Sequence, residues 1–258
     1  MPPVHLMTPD LGVGGVAVRV TTRFGGVSAP PYASLNLGEH VNDCVDAVLI
    51  NRQRLQATLD LSPVAWLRQV HGCSVVPANP ELIPEADAQW TAAMEQPIAV
   101  LTADCLPVVL VANDASCVGV AHAGWRGLAR GVLQALIAAM PVPPSHLSAW
   151  LGPAISPAAY EVGPDVSEAF QASMGDRSAV CFTPSLRQPG HFMADLFSLA
   201  RLALEHAGIE SILGGGLCNH AESDRFFSHR RDGPATGRFA TLVWRVAPRR
   251  GAGCRSAP

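Results

Sequence analysis

The chain has 258 residues, 48% of them hydrophobic and 15% charged, with a formal net charge of −3. This apolar content can bury one large core or two small ones, whereas the charge is too weakly acidic and sparse for a broad phosphate-binding surface, so nucleic acid is not an expected partner. All 18 basic residues are arginine, which excludes chemistry that needs a lysine at a fixed place: a pyridoxal phosphate Schiff base, a Walker A loop or a protein-kinase site.

The N-terminus, Met1-Pro-Pro-Val-His-Leu-Met, has neither a positive n-region nor a continuous apolar h-region, so no signal peptide is expected. Gly12-Val-Gly-Gly-Val-Ala17 fits the G-x-G-x-x-A nucleotide pattern, but a β-branched run follows where that motif needs a helix, and a turn into a strand is predicted instead. Asn42-Asp43 are placed to cap a helix through about Asp60, with Val45, Val48, Leu49, Leu55 and Leu59 as its apolar stripe and Ser62-Pro63 as its stop. Strands are predicted near 65–70, 98–103, 107–112 and 117–122, the last feeding a helix from about Leu128 to Met140 that Pro141-Val-Pro-Pro ends. A strand at about 148–152, a helix from Asp165 to about Met174 and a helix capped by Asp195 follow. The last of these runs to Glu205 or His206, with Gly208 as left-handed terminator, and a strand over Phe239–Val246 completes the reading.

The longest apolar stretch, Ile98 to Ala112, is broken by Asp104 and Pro107 and falls short of the roughly 20 residues of a membrane span. No membrane partner is expected. Seven cysteines, an odd number without paired short spacing, do not read as a disulfide framework, and a reducing, cytoplasmic setting is the simpler expectation. No repeat or linker divides the chain. Residues 1–247 are expected to form one domain and 248–258 a disordered tail.

Three soft metal-binding side chains, His71, Cys105 and His122, each close a short apolar run. Two imidazoles and a thiolate can hold Zn2+ and leave a fourth position open, which is a catalytic arrangement. The spacing matches no short metal motif, and Cys105 also reads as a small buried hydrophobe. Against that, Asp104-Cys105 lies between two apolar stretches, where an acid beside a thiol is costly to bury without a partner.

Further segments carry a resemblance. Thr22-Arg-Phe-Gly-Gly-Val-Ser, Ser34-Leu-Asn-Leu-Gly, Gln69-Val-His-Gly, Thr102-Ala-Asp-Cys-Leu-Pro, Ala121-His-Ala-Gly-Trp-Arg-Gly, Gly152-Pro-Ala-Ile, Tyr160-Glu-Val-Gly, Phe226-Phe-Ser-His-Arg-Arg-Asp and Thr236-Gly-Arg occur in this order over about residues 20 to 245. The sequence therefore resembles the YfiH-like laccase-domain family. The resemblance implies an α+β fold, a single-domain layered sandwich with mixed β-sheets flanked by helices, and a zinc site on His71, Cys105 and His122. It also implies purine nucleosides and inorganic phosphate as partners: members are described as purine nucleoside phosphorylases that deaminate adenosine and phosphorolyse methylthioadenosine. They have also been called copper polyphenol oxidases and peptidoglycan editing factors. Where the family usually has tyrosine this chain has His229, so contacts made by that tyrosine do not carry over unchanged.

Zinc at these residues would lower the pKa of a bound water from 15.7 toward roughly 7, giving a nucleophile for C6 of adenine. Phosphorolysis differs, because phosphate attacks the ribose carbon, and the sequence leaves open whether the metal orients phosphate or purine. Arg126, at a predicted helix start, is a candidate phosphate seat, and pairing with a local carboxylate is an equal reading. Arg230 belongs to a second cationic cluster. Arg23 and Asn36, in glycine-rich turns, are candidate substrate contacts, although turn chemistry alone accounts for the glycines. Asp104 reads as a catalytic base, as support for a ligand or as a strand-end cap. Trp125 either stacks on a base or fills the core. The alternatives to a zinc nucleoside enzyme are a cysteine hydrolase using Cys105 on peptidoglycan precursors, a copper oxidase, ranked low because nine scattered histidines do not form the required clusters, and a non-enzymatic scaffold. Oligomeric state is not legible.

Overall fold

A computed structural model of the chain describes residues 2–247; the tail expected at 248–258 lies outside them. In chain order the strands are β1 (Leu6–Met7), β2 (Val16–Thr21), β3 (Val75–Pro77), β4 (Ala88–Thr91), β5 (Ile98–Thr102), β6 (Leu106–Ala112), β7 (Val118–Ala123), β8 (Leu147–Leu151), β9 (Glu161–Val162), β10 (Phe182–Pro184), β11 (Phe192–Ala194), β12 (Ser211–Gly214) and β13 (Phe239–Arg245). The helices are α1 (Val45–Leu59), α2 (Trp125–Ala129), α3 (Val132–Ala139), α4 (Pro164–Met174), α5 (Leu196–His206) and α6 (His229–Asp232).

The strands form a four-stranded sheet in the order β1-β2-β13-β5, a six-stranded sheet in the order β12-β8-β6-β7-β4-β3, and a small sheet of β10, β11 and β9. The first is antiparallel throughout, whereas the six-stranded sheet is mixed, with β12 parallel to β8 and β3 parallel to β4. Alternation along the strands explains how the layers stack. Ile98 and Val100 of β5 and Val243 of β13 meet Val109 and Val111 of β6 and Val118 and Val120 of β7 in a core between the two sheets. The opposite residues of β6, Leu106, Val108 and Leu110, pack with Leu133 and Leu136 of α3, Phe170 of α4 and Leu199 of α5. Ala99, Leu101, Leu242 and Trp244 turn outward against Leu35, Leu37 and Leu55 of α1. The result is an α+β sandwich of four layers, helix, sheet, sheet and helices. Strands covered on both faces need continuous apolar runs, which is why β5 to β7 are recognisable from composition.

Several expectations are corrected. Residues 65–70 form single bridges, Ala65 to Ile98 and Arg68 to Glu85, because the segment crosses from one sheet edge to another and changes partners on the way. The helix expected over Leu128–Met140 is two: Gly131, at φ 88°, interrupts it in the left-handed region that glycine tolerates best. In α1, Val45 and Leu49 are exposed, and the buried face is Val48, Asn51 and Leu55. Asp43 does not cap that helix; its carboxylate accepts from Ser28 Oγ, Asn36 Nδ2 and the Cys44 N–H. Gly163, not Asp165, occupies the cap of α4. Asp195 does cap α5, accepting from the N–H groups of Phe197 and Ser198, and Gly208 adopts φ 89°. No helix among the described residues is long and apolar enough to cross a membrane.

Candidate metal centre and cleft

Cys105 stands at the turn where β5 of one sheet hands over to β6 of the other, and His122 lies on β7 directly opposite Pro107. His71 comes from the crossing segment, which belongs to no strand, so only two of the three residues sit at strand ends. One ligand atom from each lies within 4.8 Å of the others. Cys105 Sγ is 3.8 Å from His71 Nε2, and the two imidazole centroids are 4.7 Å apart, nearly perpendicular. Gly124 completes the cradle: a Cβ there would lie 2.9 Å from Cys105 Sγ and 3.1 Å from His71 Cδ2.

Asp87, fully buried just before β4, holds the centre from behind. Its Oδ1 accepts from the His71 N–H at 2.9 Å and pairs with His122 Nδ1 at 2.8 Å, while Oδ2 accepts from the N–H groups of Gly72 at 2.6 Å and Val70 at 3.2 Å. Burial opposes ionisation of Asp87, but the hydrogen bond and charge of His122 and the backbone N–H groups outweigh it, and the carboxyl stays below its ordinary value. Desolvation would likewise push the Cys105 thiol up. The charge and hydrogen bonds of His122 and His71 reverse that and bring it down to about 6. The converse holds for His122, where burial pushes down and Cys105 with Asp87 pushes up to about 9. Both shifts favour a thiolate at Cys105 beside an imidazolium at His122, and a metal ion held by the two would displace that proton.

These residues open into a cleft of about 310 Å³, lined also by His40, Gln69, Tyr160, His229, Arg230 and Arg238. Such a volume is at the lower end for small-molecule sites, about 300 to 1,000 Å³. A larger groove of about 490 Å³ lies on the far helical layer between α3, α4 and α5, but it brings together no comparable donor set.

Asp104 faces the cleft at φ 97°, and both its oxygens are engaged: Oδ1 accepts from Asn219 Nδ2 at 2.9 Å and Ser228 Oγ at 2.6 Å, and Oδ2 from the Arg230 N–H at 2.6 Å. It thus docks the start of α6, which carries His229 and Arg230 into the cleft. Arg230 lies over the Tyr160 ring at 5.3 Å and donates through Nη1 to Glu161 O. The other sequence candidates are placed elsewhere. Arg23 stacks on Phe227 and donates to the carbonyls of Ala33 and Ser223. Asn36 is buried, its Oδ1 accepting from the N–H groups of Gly38 and Arg238. Arg126 lies over Trp125 and lines a separate groove with Arg130. Sequence reasoning gave no role to Asp87, Tyr160 or Arg238. Arg238 and Tyr160 lay within recognised segments, but nothing local marked Asp87.

Residues 17–246 match the family described as multi-copper polyphenol oxidoreductase laccase. Over 240 residues the chain is 48% identical to a purine nucleoside phosphorylase of Pseudomonas aeruginosa, an alignment covering 92% of this chain and 97% of that one. It is 44% identical over 235 residues to the purine nucleoside phosphorylase YfiH of Escherichia coli, covering 90% and 95% of the two. Among solved structures it is similar to Neisseria meningitidis protein NMB0706, with a TM-score of 0.89 and 47% identity over 94% of this chain and 99% of that one. With its sequence matched almost end to end and its four-layer sandwich shared, the chain belongs to the YfiH-like laccase-domain family.

Proposed function

We propose that this protein is a zinc-dependent purine nucleoside phosphorylase that also deaminates adenosine and phosphorolyses methylthioadenosine, and that it works in the cytoplasm. The observation that carries this reading is the convergence of His71, Cys105 and His122 in the wall of a cleft that also holds Arg230 and Arg238. The names of the relatives at 44–48% identity support the substrate class, and the free state of all six described cysteines fits a reducing compartment.

The donor set suits zinc: two imidazoles and a thiolate, with Gly124 leaving room beside the sulfur. When bound, the ion supplies Lewis acidity at one open coordination position. The remaining work falls to side chains. Arg230 and Arg238 each engage Nη1 with main-chain carbonyls and keep further guanidinium nitrogens for an anion. Because Arg126 lines another groove, we assign phosphate to Arg230 with Arg238. Tyr160, buried beneath Arg230, offers an aromatic wall for a purine or ribose. In phosphorolysis a phosphate oxygen bonds to the anomeric carbon as the bond to the purine nitrogen breaks; in deamination water replaces the amino group at C6 and ammonia leaves.

Copper oxidation is the weaker reading. The family description mentions several coppers, yet the described residues contain one group of three donors. The order Asp87, His122, Cys105, in which Asp87 is bonded to His122 and Cys105 stands within 4.8 Å of it, favours a second reading, a cysteine hydrolase with His122 as base. Elemental analysis of the purified protein, with product analysis on adenosine with and without phosphate, separates them. Stoichiometric zinc with hypoxanthine or adenine products is the expected result; metal-free protein without nucleoside turnover would refute it.

A further inference from the structure

The three donors of the centre differ in how they are held. Cys105 is fixed by the β5–β6 turn and His122 by β7, but His71 lies on a segment outside both sheets, at φ 60°, and its ring meets the other two members of the centre, Cys105 Sγ at 3.8 Å and the His122 ring edge-on. Something else must place it. The three successive N–H groups of Val70, His71 and Gly72 converge on the carboxylate of Asp87, the same carboxylate that pairs with His122 Nδ1.

Resting on the zinc reading above, we infer that Asp87 is the positioning residue of the metal centre, setting His71 through its main chain and His122 through its ring. An ionised carboxylate accepts on both oxygens and donates nothing. It therefore fixes the proton of a neutral His122 on Nδ1 and leaves the Nε2 lone pair for the metal. The same anion balances charge that zinc brings into the buried wall. Asparagine at this place cannot reproduce both functions. If its oxygen replaces Oδ1, the amide NH₂ meets the N–H groups of Val70 and Gly72. If its oxygen replaces Oδ2, the NH₂ meets His122 Nδ1 and the His71 N–H, which favours the wrong tautomer. Each orientation sets donor against donor, so the variant loses either the His71 segment or the His122 tautomer.

Two measurements test this: zinc affinity by competition with a chromophoric chelator, wild type against Asp87→Asn, and nitrogen–proton correlation spectra of the histidine rings in zinc-loaded wild type. The expected results are a loss of affinity of about 10- to 100-fold in the variant and, in wild type, a His122 ring proton on Nδ1 that exchanges slowly. Equal affinities for the two proteins, or a His122 proton on Nε2, would overturn the inference; the wild-type spectrum decides the matter if Asp87→Asn does not fold. Wild-type protein that takes up no zinc overturns the metal reading and this inference with it. Wild-type uptake with an unaffected variant overturns the role of Asp87 alone.

Discussion

Replacing Gly124 by alanine should disable the metal centre while sparing the fold. Gly124 has φ −64° and ψ 158°, a conformation that alanine adopts freely. The backbone therefore pays nothing, and the unfolded chain loses entropy, a gain of about 0.4 to 1 kcal/mol for the folded state. The cost is steric. The new Cβ would lie 2.9 Å from Cys105 Sγ, closer than real Cβ atoms come, and at a tight 3.1 Å from His71 Cδ2. Overpacking of this kind costs about 1 to 3 kcal/mol, so the net destabilisation is at most about 2.5 kcal/mol, against a total stability of about 5 to 15. Cys105 has one side-chain torsion, and its other staggered positions carry the sulfur away from the two histidines. A misplacement of about 1 Å in catalytic geometry costs on the order of 10²-fold. Gly124→Ala should thus lower zinc affinity and kcat/KM for phosphorolysis about 100-fold, with the thermal midpoint of the metal-free protein falling by no more than about 10 °C. Chelator competition, steady-state kinetics and thermal unfolding together measure this. A variant that binds zinc and turns over like wild type would refute the placement of Gly124 against the ligands, and a variant that fails to fold would refute the stability argument.

Cys105→Ala should abolish turnover and zinc uptake with an intact fold, whereas the exposed Cys73, two residues from His71, should tolerate alanine in the same assays. Arg230→Ala should reduce phosphorolysis about 10- to 100-fold through loss of a charge-assisted hydrogen bond of roughly 1.5 to 3 kcal/mol, and deamination of adenosine much less. An unchanged phosphate dependence there, with a loss in Arg126→Ala, would move the anion to α2. In metal-free protein the folded-state pKa of Cys105 is depressed, so its thiolate appears as pH rises through about 6 and is lost as pH falls below it. Alkylation of Cys105 by iodoacetamide should therefore reach half its maximal rate near pH 6, while Cys181, pushed by burial up to about 11, stays slow through pH 9. Peptide mass mapping across pH reads both, and a half-maximal rate for Cys105 near pH 9 would contradict the paired site.

The parts of this molecule legible in its sequence are those where local chemistry is sufficient. β5, β6 and β7 are buried on both faces and announce themselves as apolar runs, and Asp195 caps α5 by bonds to its own next residues. His71, Cys105 and His122 stood out because each closes a short apolar run. What stayed hidden depends on contacts between distant segments. Asp87 gains its role from an arm 15 to 17 residues earlier and from a strand 35 residues later. Arg23 and Asn36 read as candidate substrate contacts, being polar residues in turns, and the main chain they hold lies far off in sequence: Arg23 ties the carbonyl of Ser223, 200 residues away, and Asn36 holds the N–H of Arg238, 202 residues away. Their effect on the cleft passes through the segments that carry Arg230 and Arg238.

Cys105 turns the corner between the two sheets, while His122 belongs wholly to the six-stranded one. The β6–β7 register of that sheet, Leu106 opposite Ala123 and Pro107 opposite His122, therefore sets how far the sulfur stands from the imidazole. Ile98, Val100, Val109 and Val120 fill the space between the two sheets. A methyl group added or removed there, well away from the cleft, should leave that register, and with it the pairing of Cys105 and His122, in place.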